Sequence, residues 1–138
     1  MPAISLRCST IAKDEAALRS LNSLIHNERY NSEILLSNNL YFVGCTKYKE
    51  YPVQTFESDK LWICLEGRIY GKERSILNQK PHSILMRVFD NGIADEITNW
   101  LLETDGEFVI YALNKTNQDF IVLNDALGRL PTYYYIMK

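Results

Sequence analysis

An excess of charge of one sign, paired cysteines and long apolar runs are all missing from this sequence, and each absence removes a class of function. Fifteen Lys and Arg against 17 Asp and Glu leave a formal net charge of -2. No basic field of the kind that attracts nucleic acid or anionic lipid is therefore expected. No apolar run approaches the roughly 20 residues of a membrane-spanning helix, and Met1 to Arg7 is too short and mixed for a signal peptide. The three cysteines, Cys8, Cys45 and Cys64, are an odd number without paired short spacing, which argues against a disulfide framework and against a zinc knuckle. The two histidines, His26 and His82, lie far apart with no His or Cys at ligand spacing, so neither a metal nor another cofactor is expected. Reduced thiols without an export or membrane signal describe a cytoplasmic protein.

What is present is the composition of a folding unit. Of the 138 residues 46% are apolar and 23% charged, enough for a single domain spanning 1–138 with its own core. Ala3 to Leu6 suits a short first strand. After Asp14, a plausible N-cap, Ala17, Leu18, Leu21, Leu24 and Ile25 recur at helical spacing and predict an amphipathic helix ending near His26-Asn27. Leu40 to Cys45 and Leu61 to Leu65 have the composition and flanks of strands, with Tyr51-Pro52 as a break between them. Within the second, Cys64 fits a buried core position better than a reactive one. Helical patterning covers Ser83 to Phe89 and Ile93 to Leu102, separated by Asn91-Gly92 as a cap or turn. Strands are then expected over Phe108 to Leu113 and Phe120 to Leu123, joined through Asn114 to Asp119, with a last strand over Thr132 to Ile136. There is no repeat or low-complexity tract. The order β, α, β, β, α, α, β, β, β is that of an α+β domain.

Two glycine turns in the last third fall into a recognisable arrangement. Asp105-Gly106-Glu107-Phe108 precedes one strand, and Asn124-Asp125-Ala126-Leu127-Gly128-Arg129-Leu130-Pro131-Thr132-Tyr133-Tyr134 follows the next. Together they resemble the class II glutamine amidotransferase domain that opens asparagine synthetases. In that family a Leu, then Asp-Gly-x-Phe, leads into a strand, and Arg-Asp-x-x-Gly-x-x-Pro-Leu-Tyr-Tyr follows later. Asp125, Leu127, Gly128, Pro131, Tyr133 and Tyr134 match, while Asn124 stands at the family's arginine. Further upstream, Glu66-Gly67-Arg68-Ile69-Tyr70 resembles the family's Asn-Gly-Glu-Ile-Tyr, and the first helix running into His26-Asn27-Glu28-Arg29 resembles its helix before His-Arg-Gly-Pro-Asp. The resemblance implies an N-terminal-nucleophile hydrolase fold, an αββα sandwich of antiparallel sheets. It also implies a fold cut short after the Tyr-Tyr segment, because the family continues for several more strands.

The same comparison implies a glutaminase pocket without its chemistry. The family's nucleophile is a cysteine exposed by removal of the initiator methionine, its own amine serving as base. Aligning Pro2-Ala3-Ile4 with the family's Cys-Gly-Ile puts Pro2 there, with no thiol. Glu66 replaces the asparagine whose amide stabilises the oxyanion, and a carboxylate can only accept. Gly67 is kept, but Arg68 stands at the glutamate that holds the substrate amide. Lys47 falls near the arginine that pairs with the substrate carboxylate, and Lys80 near the aspartate that receives its ammonium. The implied role is a structural or docking module for a synthetase domain or protein of the asparagine-synthetase type, one that forms amides or lactams with ATP.

Three alternatives accompany this reading. Cleavage after Arg7 would expose Cys8 as a new nucleophile, and methionine removal alone would leave Pro2 as a secondary amine able to act as base or nucleophile. A free-standing interaction module would need neither. For Gly67, Asp105-Gly106 and Gly128 the simplest role is to supply turns. For the basic residues between Lys72 and Arg87 it is a solvated face, and for Tyr133, Tyr134 and Tyr135 it is alternating burial on a strand. A sheet that ends on Thr132 to Ile136 would leave that strand as an open edge, which predicts a homo-oligomer formed through it.

Overall fold

The fold is described from a computed structural model covering residues 2–8, 14–71, 80–92 and 95–134. Two compact units divide the chain, Met1–Tyr51 and Pro52–Lys138.

The first unit is a three-stranded antiparallel sheet carrying one helix. Strands β1 (Ala3–Cys8), β2 (Asn31–Ser37) and β3 (Tyr41–Lys47) are arranged β1-β3-β2, and helix α1 spans Asp14–Asn22. β3 is central, and Phe42 to Thr46 are all buried. Alternation along it sends Phe42, Gly44 and Thr46 to one face. There Ala17 and Leu21 of α1 pack on Phe42. Gly44 makes room for that helix, because a Cβ added there would lie 2.6 Å from a methyl of Leu21. The helix ends at Asn22, short of His26, for a visible reason. Leu24 and Ile25 donate to the carbonyls three residues back, and the Thr46 hydroxyl takes the Leu21 carbonyl at 3.0 Å, so the last turn tightens and stops. Ile25, expected on the buried stripe, is exposed.

The second unit is a four-stranded antiparallel sheet in the order β4-β5-β6-β7, formed by Val53–Glu57, Leu61–Ile69, Gly106–Asn114 and Phe120–Asn124. Helices α2 (Lys80–Asn91) and α3 (Asp95–Glu103) intervene between β5 and β6. One face of the two central strands presents Leu61, Ile63, Leu65, Phe108, Ile110 and Ala112 to Ile84, Leu85, Val88, Ile97 and Trp100 of the helices. Gly92 closes α2 as expected. Its N–H reaches the Val88 carbonyl at 2.8 Å, and its φ of 79° then turns the chain out of the helix. The Asn114 to Asp119 hairpin is present, with Thr116 and Asp119 N–H groups bonded to the side chains of Asn114 and Asn117.

Three sequence expectations are corrected. β2 and β4 were not anticipated as strands. The final strand over Thr132 to Ile136 is not formed across its described part: Pro131 to Tyr134 have no strand pairing, and Tyr135 and Ile136 lie outside the described residues. Proline offers no N–H, and the carbonyl of Leu130 is taken by the Asn124 side chain at 3.0 Å. Tyr133 and Tyr134 are consequently 90% and 88% exposed rather than alternately buried. Among the described residues no helix is long and apolar enough to cross a membrane.

Candidate functional site

The structure joins the two glycine turns of the last third into one hydrogen-bonded junction. Asp125 follows β7 directly and is buried. Its carboxylate accepts from the N–H groups of Leu127 at 3.0 Å, Arg129 at 3.1 Å and, more weakly, Phe108 at 3.4 Å, while its own N–H donates to the Phe108 carbonyl at 3.0 Å. An aspartate that bonds the backbone two and four residues on is the side-chain form of a tight turn. Gly128 completes it, donating to the Asp125 carbonyl at 2.9 Å with a φ of 60°.

Arg129 then ties this loop to the start of β6. Its Nη1 donates to Asp105 Oδ1 at 2.9 Å and to the Gly106 carbonyl at 2.7 Å. The hydrogen bond to Asp105 raises the guanidinium's pKa still further. Gly106 is required here, because a Cβ would lie 2.4 Å from the Arg68 carbonyl oxygen. Asp105, Gly106, Asp125 and Gly128, from two separate turns of the chain, thus meet in one place, whereas Pro131, Tyr133 and Tyr134 are exposed. Arg129 was not singled out from the sequence. The available signal was a lone cation inside a turn motif, with an acidic turn residue in the other motif.

The implied pocket positions fall in both units. In the first, Pro2 immediately precedes β1, and the Ala3↔Thr46 and Asn31↔Lys47 pairings put Pro2 and Lys47 at the same end of the sheet. Lys47 is mostly buried and lies 3.7 Å from Glu33. In the second, Glu66, Gly67 and Arg68 close β5, and Lys80 opens α2. Glu66 is buried and accepts a hydrogen bond from the Tyr111 hydroxyl at 3.2 Å. Gly67 donates its N–H to the Pro52 carbonyl at 2.8 Å, continuing the β4–β5 ladder, and has a φ of 92°. A Cβ added there would lie 2.0 Å from the Glu107 carbonyl oxygen. Arg68 points to solvent.

Cys8 is exposed at the end of β1, while Cys45 and Cys64 are buried, and none of the three is in a disulfide. β1 pairs with β3 from Ala3 through Cys8, so cleavage after Arg7 would remove all but its last residue. A Ser58–His82 contact at 3.4 Å was also not anticipated. Ser58 Oγ is engaged by the Leu61 N–H at 3.1 Å and the Leu61 carbonyl at 3.3 Å, as in a turn, and the His82 ring stands edge-on to Phe56. The pair closes the β4–β5 turn.

An open cavity of about 760 Å³ lies in the first unit, between Asn27 to Asn31 and Tyr48 to Glu50. Tyr30 and Tyr48 meet edge to face there, with ring centres 6.1 Å apart. Two cations, Arg29 and Lys49, and two anions, Glu28 and Glu50, line it, and the described lining holds no Ser, Thr, Cys or His. Such a lining offers no thiol and no Ser or Thr hydroxyl of the kind that N-terminal-nucleophile chemistry uses. Of the segments compared with the family, only Asn27 to Arg29 borders it.

These elements make an α+β chain with two antiparallel sheets. Comparison with family models, with curated proteins and with solved structures finds no match to this chain.

Proposed function

We propose that the chain is a glutaminase-like domain of the asparagine-synthetase type, with the αββα N-terminal-nucleophile architecture, that no longer hydrolyses glutamine. It acts as a structural or docking module for an ATP-dependent amide- or lactam-forming synthetase. The observation that carries the loss of chemistry is the state of Glu66 and Gly67. In the family these positions supply the oxyanion donors. Here the Gly67 N–H is bonded to Pro52, and Glu66 is a carboxylate bonded to Tyr111. A donor already committed to a β-ladder cannot also meet a developing oxyanion, and an ionised carboxylate opposes one. Pro2 adds the loss of the thiol.

Two further observations support descent from that family. The Asp105-Gly106 and Asp125 to Arg129 motifs, matched independently in sequence, interlock through Arg129 and Asp125. Both sheets are antiparallel and carry helices on a face, as the layered architecture requires.

The test is ammonia release from glutamine by purified protein, with intact-mass analysis of its N-terminus. Background release is expected. Turnover that disappears in Cys8→Ala and accompanies loss of the first seven residues would replace this reading with leader processing. Turnover that survives Cys8→Ala would put the chemistry at Pro2 or elsewhere.

A further inference from the structure

Asn91 is the one asparagine of the sequence that a glycine follows. Such a pair can lose its amide without an enzyme, because the next backbone nitrogen can attack the side-chain carbonyl carbon. Glycine neither crowds that approach nor restricts the rotation it needs.

The pair stands at the end of α2, restrained by one bond. Asn91 is the last residue of the helix, and the Gly92 N–H donates to the Val88 carbonyl at 2.8 Å. A nitrogen held in that bond, with Asn91 in helical geometry, cannot reach the side-chain carbon. Around this bond the cap is open. Asp90, Asn91 and Gly92 are all exposed. Among the described residues other than its chain neighbours, no atom lies within 4 Å of where a Gly92 Cβ would stand. The last turn holds no basic residue, and Asp90 puts a negative charge at the negative end of the helix dipole. Val88 and Phe89, by contrast, pack into the core of the second unit. The cap can therefore open while the rest of α2 stays in place.

We propose that Asn91 is a self-modification site, converted to aspartate and isoaspartate by the Gly92 nitrogen when the last turn of α2 opens. With its bond to Val88 broken, the Gly92 nitrogen gives its proton to hydroxide and bonds to Asn91 Cγ. The Cγ–Nδ2 bond breaks, the amide leaves as ammonia after taking a proton from water, and a cyclic imide joins the two residues. Water then opens the imide. Addition at Cγ gives aspartate, and addition at the main-chain carbonyl of residue 91 gives isoaspartate, with the backbone routed through the side chain. Overall one water is consumed and one ammonia released, with no change of oxidation state. Either product adds a carboxylate beside Asp90 at the negative end of the helix, so the modified cap opens more readily than the original.

This site does not rest on the proposed function, and its ammonia is released once per chain, so it cannot pass for turnover of glutamine. The test holds the full chain at one mildly alkaline pH and follows residue 91 by peptide mass and isoaspartate detection. Residue 91 should convert before any other asparagine, and Asn91→Gln, whose longer side chain closes a ring far more slowly, should lose the signal. Conversion should be slower in the folded chain than in the urea-unfolded one. The folded rate should stay level in urea below the unfolding transition, as for a local opening that exposes little surface. Asp90→Lys should lower the folded-to-unfolded rate ratio by at least about twofold, because a cation at a helix C-terminus closes the last turn. Taking the ratio removes the direct effect of the charge on the reaction, and if this variant does not fold the urea series decides. No conversion in the folded chain, a folded rate equal to the unfolded one, a folded rate that climbs with urea in step with global unfolding, or a ratio unchanged in folded Asp90→Lys would each overturn the proposal.

Discussion

At Gly67 the backbone alone requires glycine. The backbone there has a φ of 92° and presses against the Glu107 carbonyl, which any side chain would strike. Gly67→Ala combines a left-handed backbone penalty with a main-chain collision. It should cost about 3 kcal/mol, read as a lower urea midpoint at unchanged slope. From the sequence Gly67 was legible as a turn glycine. That its N–H is bonded to Pro52 was not, because the partner strand β4 was not foreseen. Tyr70 provides a second test near the same junction. Partial desolvation and then the neighbouring Glu107, which also accepts its hydrogen bond, raise the phenol's pKa above its usual value of 10.0, with Arg129 acting in the opposite sense. A raised value means that the fold favours the neutral phenol. Whatever stabilisation this brings is present below pH 10 and is lost as pH rises through the folded value. Glu107→Gln removes the negative charge, so in an ultraviolet titration compared with Tyr70→Phe the Tyr70 transition should move down in pH.

The helices were the most legible elements, and the reason is packing. The apolar positions of Ser83 to Phe89 and Ile93 to Leu102 recur at helical spacing because one stripe of each helix covers the β5–β6 face. The observed helices extend a few residues beyond the first prediction and one beyond the second. Ile93 and Ala94 lie outside the described residues. β2 and β4 were missed for the complementary reason: edge strands are half solvated, and Asn31–Ser37 and Val53–Glu57 mix polar and apolar residues without a strong signal of their own. The tyrosine segment failed in the other direction. Its composition favours a strand, but composition cannot provide a neighbour, and Pro131 and the Asn124–Leu130 bond divert the chain first. The helix layer yields its own prediction. Trp100 is buried with its ring centre 6.1 Å from that of Phe108. Trp100→Ala should therefore destabilise the second unit by about 3–5 kcal/mol, measured by chemical denaturation, enough to leave a small unit marginal.

For the whole molecule, composition bounded the possibilities and the motifs narrowed them, yet the candidate pocket could be judged only with coordinates. Pro2 and Lys47 belong to the first unit, and Glu66, Gly67, Arg68 and Lys80 to the second. On the proposed reading Pro2 stands at the nucleophile's position, which by itself leaves open a protein one substitution away from activity. The hydrogen bonds argue otherwise. Even with a cysteine at the amino terminus, attack on an amide creates an oxyanion, and the donors that would receive it are absent or bonded elsewhere. Losing one such donor typically costs about 3–4 kcal/mol of transition-state stabilisation, and residues of one catalytic unit do not act additively. Pro2→Cys should therefore leave glutamine hydrolysis at background, in an ammonia-release assay on protein whose mass shows methionine removal. Adding Glu66→Asn should also fail to restore turnover, because the Gly67 N–H stays in the β4–β5 ladder, with its carbonyl partner Pro52 held between Tyr51 and the strand. Efficient hydrolysis by Pro2→Cys alone would mean that the oxyanion is met by other donors, and that the pocket was intact apart from its nucleophile.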